Sequence, residues 1–517
     1  MESQRRSLLL NMGASLVFQI CTIICGFILP RLILNRFGSE LNGLINSITQ
    51  FLGIISFLEL GVGAVVQSSL YKPLSNHDND EISKIIKSAE NFFVKIVIIL
   101  LIYVFLLMMF YPYIKNDFGH FFTATLILVV SISSFAQYYF GVVDRLLLSA
   151  DQKGYVQYTA QTVSLVLNTI LCIFLINLEA SIHTIKFMTS CLYLMRLFIL
   201  RIYVNRHYNI NRKIKYFGEP IKQKWNGIAQ HIASVILEQT DVIVLTLFST
   251  LANVSVYSVY NLVVYGMKNL FLSLTNGIQS LMGEFWAKNE TEKLNQLFDW
   301  AEWGIHTGTT FIFGCMAVLL LPFISVYTKG ITDTNYKLPL FAILITMAHA
   351  GHCLRLPYNI LILAAGHYKQ TQSNYILAAV INIVVSILTV KKWGLIGVAI
   401  GTLCAMFYQT IWMAIYDSKN LLNISIRKFI KHIFVDILTI LVGGLFTFKI
   451  PMLSIDYLSW IFLAIIDTVV WGIIIIGINT IFYRKKVNEL KRLIVAQMKK
   501  RRTLLFGSGN VKKRQVK

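Results

Sequence analysis

ELGVGAVVQSSLYKPLSNHDNDEISKIIKSAENFF, residues 59–93, and SLTNGIQSLMGEFWAKNETEKLNQLFDWAEWG, residues 273–304, are two copies of one signature. Gln67 aligns with Gln279, Asp80 with Glu292, Ile85 with Leu297, Ala89 with Ala301 and Glu90 with Glu302. Each pair is 212 residues apart, so the alignment needs no gap. In each copy we expect an apolar helix, a short amphipathic helix and a second apolar helix. Internal duplication in a strongly apolar chain points to two membrane-embedded halves.

The composition outside the signature agrees. Of 517 residues, 56% are hydrophobic and 14% charged, with a mean hydropathy of +0.63. Soluble proteins have roughly 45–50% apolar and about 25% charged residues. Lipid is therefore the main solvent. A span needs ~20 apolar residues, and about fourteen stretches qualify: 8–34, 43–70, 91–113, 120–143, 155–177, 181–203, 225–248, 253–282, 300–327, 338–364, 373–390, 394–416, 433–450 and 458–482. The apolar run near the N-terminus continues without a small-residue cleavage site, so it reads as a spanning helix and not a removable signal.

The formal net charge is +22. The Lys and Arg residues collect in alternate connections, which explains the charge by the positive-inside rule and not by nucleic-acid binding. One side has Arg5 and Arg6, Lys84 and Lys87, Arg145 and Lys153, a basic stretch from Arg206 to Lys224, and Arg427, Lys428 and Lys431. The tail adds 13 basic residues from Arg484 to Lys517 against one acid, Glu489. Both termini are accordingly predicted on the cytoplasmic side of the membrane. The seven cysteines lie in apolar segments and no CxxC occurs, so they read as small core residues.

The expected fold is an all-α integral membrane protein with about 14 transmembrane helices. Two six-helix lobes related by the repeat are followed by two further helices. We expect an N-terminal lobe at 1–210, a basic cytoplasmic linker at 211–224, a second lobe at 225–416, two additional helices within 417–482 and a basic cytoplasmic tail at 483–517.

Charged side chains at mid-bilayer usually face a cavity or a partner. Gln230, Ser234, Glu238 and Asp241 fall on one helix face, and Tyr257, Asn261, Tyr265, Lys268 and Asn276 on another. His349, His352 and Arg355 share a third helix, and Arg31 follows Pro30 in the first. Two readings follow. Either the groups line a water-filled cavity bounded by the first, second, seventh and eighth spans, or they pair off, for example Asp241 with Lys268 and Arg31 with Glu59. Four polar helix faces are hard to satisfy without water, which favours the cavity. His349 and His352 have metal-ligand spacing but no adjacent carboxylate, so no metal site is expected. There is no Walker A loop, GxSxG or HExxH. We expect neither an enzyme nor a cofactor.

Four segments carry a resemblance: RFGSELNGLINSITQFLGIISFLELGVGAVVQSSLYKPL (36–74), TDVIVLTLFSTLANVSVYSVYNLV (240–263), ILAAGHYKQTQSNY (362–375) and KKWGLIGVAIGTLCA (391–405). With them the chain resembles the polysaccharide flippases of the multidrug/oligosaccharidyl-lipid/polysaccharide exporter superfamily, in the branch of capsule and O-antigen clusters. The resemblance implies a V-shaped twelve-helix core plus two helices. It implies translocation of undecaprenyl-diphosphate-linked oligosaccharide repeat units, with membrane lipid, polymerase and glycosyltransferases as partners. Substrate-contacting candidates are then Arg31, Tyr257, Asn261, Tyr265, Lys268, His349 and Arg355, and ion-coupling candidates Glu238 and Asp241. The related lipid II flippases use cations in helices 1 and 8, where Arg31 and Lys268 stand. The alternative is an ion-coupled multidrug antiporter of the same fold, which would want carboxylates in the cavity. A membrane polymerase or ligase would need a sizeable extracytoplasmic loop, and the predicted loops are all short.

Overall fold

The computed structural model describes residues 2–215, 228–422, 425–493 and 495–496. Residues 216–224 of the expected linker and 497–517 of the expected tail lie outside the described residues, as do the side chains of Gln230, Ser234 and Asn276.

The chain is all-α. Its helices are α1 (Glu2–Gly53), α2 (Ser56–Ser75), α3 (Asn79–Ile114), α4 (His120–Ala136), α5 (Val142–Ala150), α6 (Gly154–Asn177), α7 (Ile182–His207) and α8 (Ile228–Phe248). Then follow α9 (Leu251–Ala287), α10 (Thr291–Tyr327), α11 (Pro339–Leu354), α12 (Leu356–Ala364), α13 (Tyr368–Trp393), α14 (Leu395–Asn420), α15 (Arg427–Thr447) and α16 (Tyr457–Phe482). A π-helical turn, Gln137–Gly141, joins α4 to α5. Among the described residues eleven helices are long and apolar enough to cross a membrane, counting α4–α5 and α11–α12 as one each. The helices α2, α8 and α9, of 20, 21 and 37 residues, stand outside that count. Large side chains such as Phe105 and Leu441, each 61% exposed, face outward as lipid contacts require.

Two expected boundaries move. The stretch 43–70 is not one helix: α1 runs on to Gly53 and α2 begins at Ser56. The expected break after residue 34 shrinks to one residue, Gly38, at φ 81°. The helix beyond it is capped from far away. The Asp333 carboxylate accepts from the Ser39 backbone N–H at 2.6 Å and from its hydroxyl at 2.7 Å. That carboxylate satisfies an orphan donor at the positive end of the helix dipole. The amphipathic segments of the signature are likewise not separate helices but the first turns of α3 and α10. Asp78 caps α3 by accepting from the Glu81 N–H at 3.0 Å. The prolines of both helices, Pro112 and Pro322, stand near their far ends, so helix propagates unbroken before them.

The repeat is structural as well as sequential. The helices α3 and α10 begin 212 residues apart, at Asn79 and Thr291. Left-handed residues recur in matching turns: His77 (φ 53°) with Asn289 (φ 55°), Gly119 (80°) with Gly330 (88°), Gln152 (55°) with Gly366 (73°), and Glu179 (59°) with Gly394 (54°). Each half also has its own apolar core. One comprises residues between 33 and 204 with Leu251, the other residues between 233 and 422 with Leu34. The halves meet where α1 packs on α9 and α2 on α8. Buried polar bonds pin that seam. Asn42 donates to the Ser255 hydroxyl at 2.7 Å, and Ser47 and Thr246 share a hydrogen bond of 2.7 Å.

The Gly-spaced segment at 391–405 has a packing reason. Gly394 caps α13 at positive φ, and Gly397 and Gly401 let α14 touch the α13 backbone. A Cβ on Gly401 would lie 2.9 Å from the Asn382 carbonyl oxygen and from the Ser386 nitrogen. Small residues one turn apart permit such close helix contact in lipid. Gly401→Val therefore forces α13 and α14 apart, at a cost of ~1–3 kcal/mol or more. The thermal midpoint in detergent drops, whereas Gly472→Ala, whose Cβ meets nothing within 4 Å, leaves it unchanged. Equal midpoints for the two variants refute this account. The helix α16 docks by the inverse device: the buried Trp471 lies flat against Gly314 of α10 and Gly443 of α15.

Candidate functional site

A polar cavity of about 540 Å³ opens in the second half, walled by α8, α9, α11, α12, α13 and α14, with Gln50 of α1 its contribution from the first half. The sequence-predicted residues Tyr257, Asn261, Tyr265, Lys268, His349, Arg355, Glu238 and Asp241 all line it. Arg31 does not. Its guanidinium donates to the backbone carbonyls of Tyr327 and Lys329 at the far end of α10. The first span is therefore not a wall; α11–α12, which hold the candidates His349 and Arg355, line the cavity as their residues implied, and α13 and α14 join them though no candidate was placed there. The expected pairings also change. Lys268 pairs with Glu238 and not with Asp241, and Glu59 pairs with Arg145 and not with Arg31.

Local structure explains how the cations reach the interior. Pro357 in the first turn of α12 removes a backbone donor, so the α11–α12 span breaks at Arg355. Arg355 itself keeps helical φ and ψ (−74° and −24°), and its side chain lines the cavity, where the residue is only 6% exposed. Its Nη2 donates to His352 Nδ1 at 3.1 Å. Its Nε and Nη1 meet no acceptor among the described residues. Lys268, 3% exposed, bonds Glu238 at 3.2 Å and stands 4.4 Å from the centre of the Tyr265 ring. Ring and carboxylate together compensate the ammonium.

Asp241 is compensated differently. Its oxygens accept from the Thr402 hydroxyl at 2.7 and 2.8 Å, from Tyr257 at 2.8 Å and, at the limit of a hydrogen bond, from Asn382 at 3.5 Å. All three donors are neutral. The cavity thus holds one internal ion pair, one carboxylate held by neutral groups and one guanidinium with free donors. That last group is an anion receptor by chemistry, because a guanidinium fork matches phosphate oxygens. Tyr265, Asn261 and Asn359 add groups suited to hydroxyl-rich ligands.

The sequence reading missed Gln50, Asn359 and Thr402. Asn359 was findable, one helical turn from Arg355. Thr402 sits between apolar residues of a glycine segment, with nothing in its spacing to mark it. Among the described residues no group of His, Cys, Asp or Glu is arranged to hold a metal ion.

The first half has a smaller polar cluster. Glu59 accepts from Arg145 and, at 3.2 Å, from Gln137, the first residue of the π-helical turn. Tyr193 donates to Gln137 at 2.8 Å, and the Arg196 guanidinium lies 4.0 Å from the centre of the Tyr193 ring. The π-turn inserts one residue into the helix, which rotates Gln137 toward Glu59.

This fold, a multi-pass helical bundle of two repeated halves around a polar cavity, is one seen in solved membrane transporters. No protein family and no curated protein matches the chain by sequence. Among solved structures, the lipid II flippase MurJ in its inward closed conformation aligns with a TM-score of 0.68 at 18% identity, over 93% of this chain and 100% of that one. A mutant of the Vibrio cholerae MATE transporter VcmN aligns at 0.58 and 13% identity, over 82% of this chain and 99% of that one. An inward-facing multidrug resistance MATE family transporter of the MOP superfamily aligns at 0.55 and 14%, over 78% and 94%. At these identities the likeness establishes the fold.

Proposed function

We propose that this chain is a transporter that carries polyprenyl-diphosphate-linked oligosaccharide repeat units across the bacterial plasma membrane for surface polysaccharide assembly. The observation that carries this reading is the Arg355 guanidinium, buried in the cavity wall with two nitrogens unengaged. A diphosphate cannot cross hydrocarbon unaided, and a buried guanidinium is its natural receptor. Lys268 supplies a second cation once Glu238 releases it. The Tyr and Asn side chains fit sugar hydroxyls, the polyprenyl chain stays in lipid, and the two halves rock against each other. The polymerase and glycosyltransferases of the same pathway are the proposed protein partners. The chain itself carries out no chemistry in this reading. Its resemblance to flippases and the MurJ-like fold both support it.

Asp241 is the proposed coupling residue, as the receptor of a proton or Na⁺, with Glu238 the second candidate. A different cargo is favoured by the MATE-like fold and by Glu238, whose side chain is 48% exposed in the cavity. An ion-coupled multidrug antiporter would bind cationic drugs there. Thermal-shift and native mass spectrometry on the purified full chain separate the two. Undecaprenyl diphosphate stabilises the protein and ethidium does not. Stabilisation by ethidium alone rejects the flippase reading in favour of the antiporter.

A further inference from the structure

The helix α12 has two polar faces. Arg355 and Asn359 line the cavity. Tyr358 points the other way, into a second group of buried titratable side chains that the transport reading does not use. Tyr358 donates to Glu302 Oε1 at 2.7 Å. The other side of its hydroxyl stands 3.3 Å from His306 Nε2. His306 Nδ1 is 2.6 Å from Asp436 Oδ2. These four groups, from α10, α12 and α15, are each at most 7% exposed.

Counting hydrogens decides what this chain does. Three hydrogen bonds link the four groups, and each needs one proton. With both acids ionised, a neutral imidazole supplies one and the phenol supplies one. Two protons cannot make three bonds, so closing all three takes one more. A second observation points the same way. Asp417 in the last turn of α14 is 1% exposed, and neither of its oxygens meets a donor among the described residues. It faces a cavity of about 20 Å³ lined also by Glu302, Tyr358 and Lys428. A volume of that size suits one water molecule.

The surrounding charges do not supply a counter-ion. Lys428 and Lys486 are engaged by Asp299, at 3.3 and 2.7 Å. Lys431 donates to the Phe482 carbonyl at 2.9 Å. His432 stands 3.7 Å from Glu302 with its Nδ1 bonded to Tyr483 at 2.8 Å, and Thr310 donates to Asp436 at 2.8 Å. Among the described residues no Lys or Arg forms an ion pair with Glu302, Asp417 or Asp436. Buried carboxylates without a cation hold a proton in preference to a full charge.

We propose that Glu302, Tyr358, His306 and Asp436 form a proton-binding site separate from the polar cavity, with Asp417 as the group that exchanges its proton with water. One proton enters from water and leaves to water, and no co-reactant is needed. Rearrangement of the chain moves the proton between Glu302 and Asp436. Because Tyr358 lies in the first turn of α12 and Arg355 is the residue that caps it, the charge state of this site bears on the shape of the cavity. The proposal does not depend on which cargo the cavity takes.

The test is a proton count on the purified full chain, titrated across the pH range in which it stays folded. Glu302→Gln or Asp436→Asn supplies an amide donor, so the chain closes without the extra proton. Each variant should bind about one more proton fewer than loss of an ordinary carboxylate explains, judged against Glu489→Gln. Either acid variant serves where the other fails to fold. Asp417→Asn should slow proton uptake after a pH jump. Glu302→Gln and Asp436→Asn that each change the proton count no more than Glu489→Gln does overturn the proposal.

Discussion

Arg355→Gln lowers the affinity of the full chain for undecaprenyl diphosphate by ~10- to 100-fold. The estimate follows from removing a charge-assisted bond of about 1.5–3 kcal/mol, where each 1.4 kcal/mol or so is tenfold. The side chain contributes no internal salt bridge among the described residues; its hydrogen bond is to His352. Its loss therefore leaves no carboxylate stranded, and the fold tolerates the change. Arg355→Lys recovers part of the affinity, because an ammonium keeps the charge and gives up the two-pronged geometry. Lys268→Met behaves differently, since it strands Glu238, and it shows an added loss of stability. Titration by native mass spectrometry checks the series. An affinity unchanged in Arg355→Gln removes the main support for a diphosphate cargo.

Asp144→Ala is the most destabilising single substitution we expect, at ~3–5 kcal/mol. Asp144 is 1% exposed on α5 and accepts from Arg201 of α7 at 3.0 and 3.1 Å and from Arg212 at 2.9 Å. Glu90 of α3 binds the same two guanidiniums, Arg201 at 2.9 Å. Asp144 and Glu90 together thus tie α3, α5 and α7 to Arg212. Without Asp144 the two cations share Glu90 alone. Arg201→Met in the same chain restores the charge balance and part of the stability. Chemical unfolding in detergent measures both. A single variant that unfolds at the wild-type denaturant concentration refutes the clamp.

The repeat was legible because helix starts and turns are set locally. His77 and Asn289 occupy matching left-handed turns, and Asp78 and Glu290 hold the same N-cap position, although only Asp78 caps with its side chain. Partners were not legible. Glu90 and Glu302 align in sequence, yet one meets two arginines and the other a tyrosine and a histidine. Side-chain pairing depends on which helices are brought together, and helical periodicity fixes only the face of one helix at a time. The polar stripes of α8 and α9 were visible for that reason. The exclusion of Arg31 was not, because its acceptors are backbone carbonyls nearly 300 residues away. The break at Pro357 was written in the sequence. That Arg355 lines the cavity needed the packed helices.

The paired turns carry a consequence of symmetry. Among the described helices five spanning elements lie between α3 and α10, namely α4–α5, α6, α7, α8 and α9, an odd number, so if each crosses the bilayer the two copies run in the same direction. They are then related by an approximate twofold axis along the membrane normal, and not by one lying in its plane. Exchanging the conformations of two such copies returns an assembly that faces the same way. A molecule of this kind cannot turn itself inside out by trading shapes between its halves. Any reversal of facing must come from a tilt of one half against the other, about the seam where Asn42 meets Ser255.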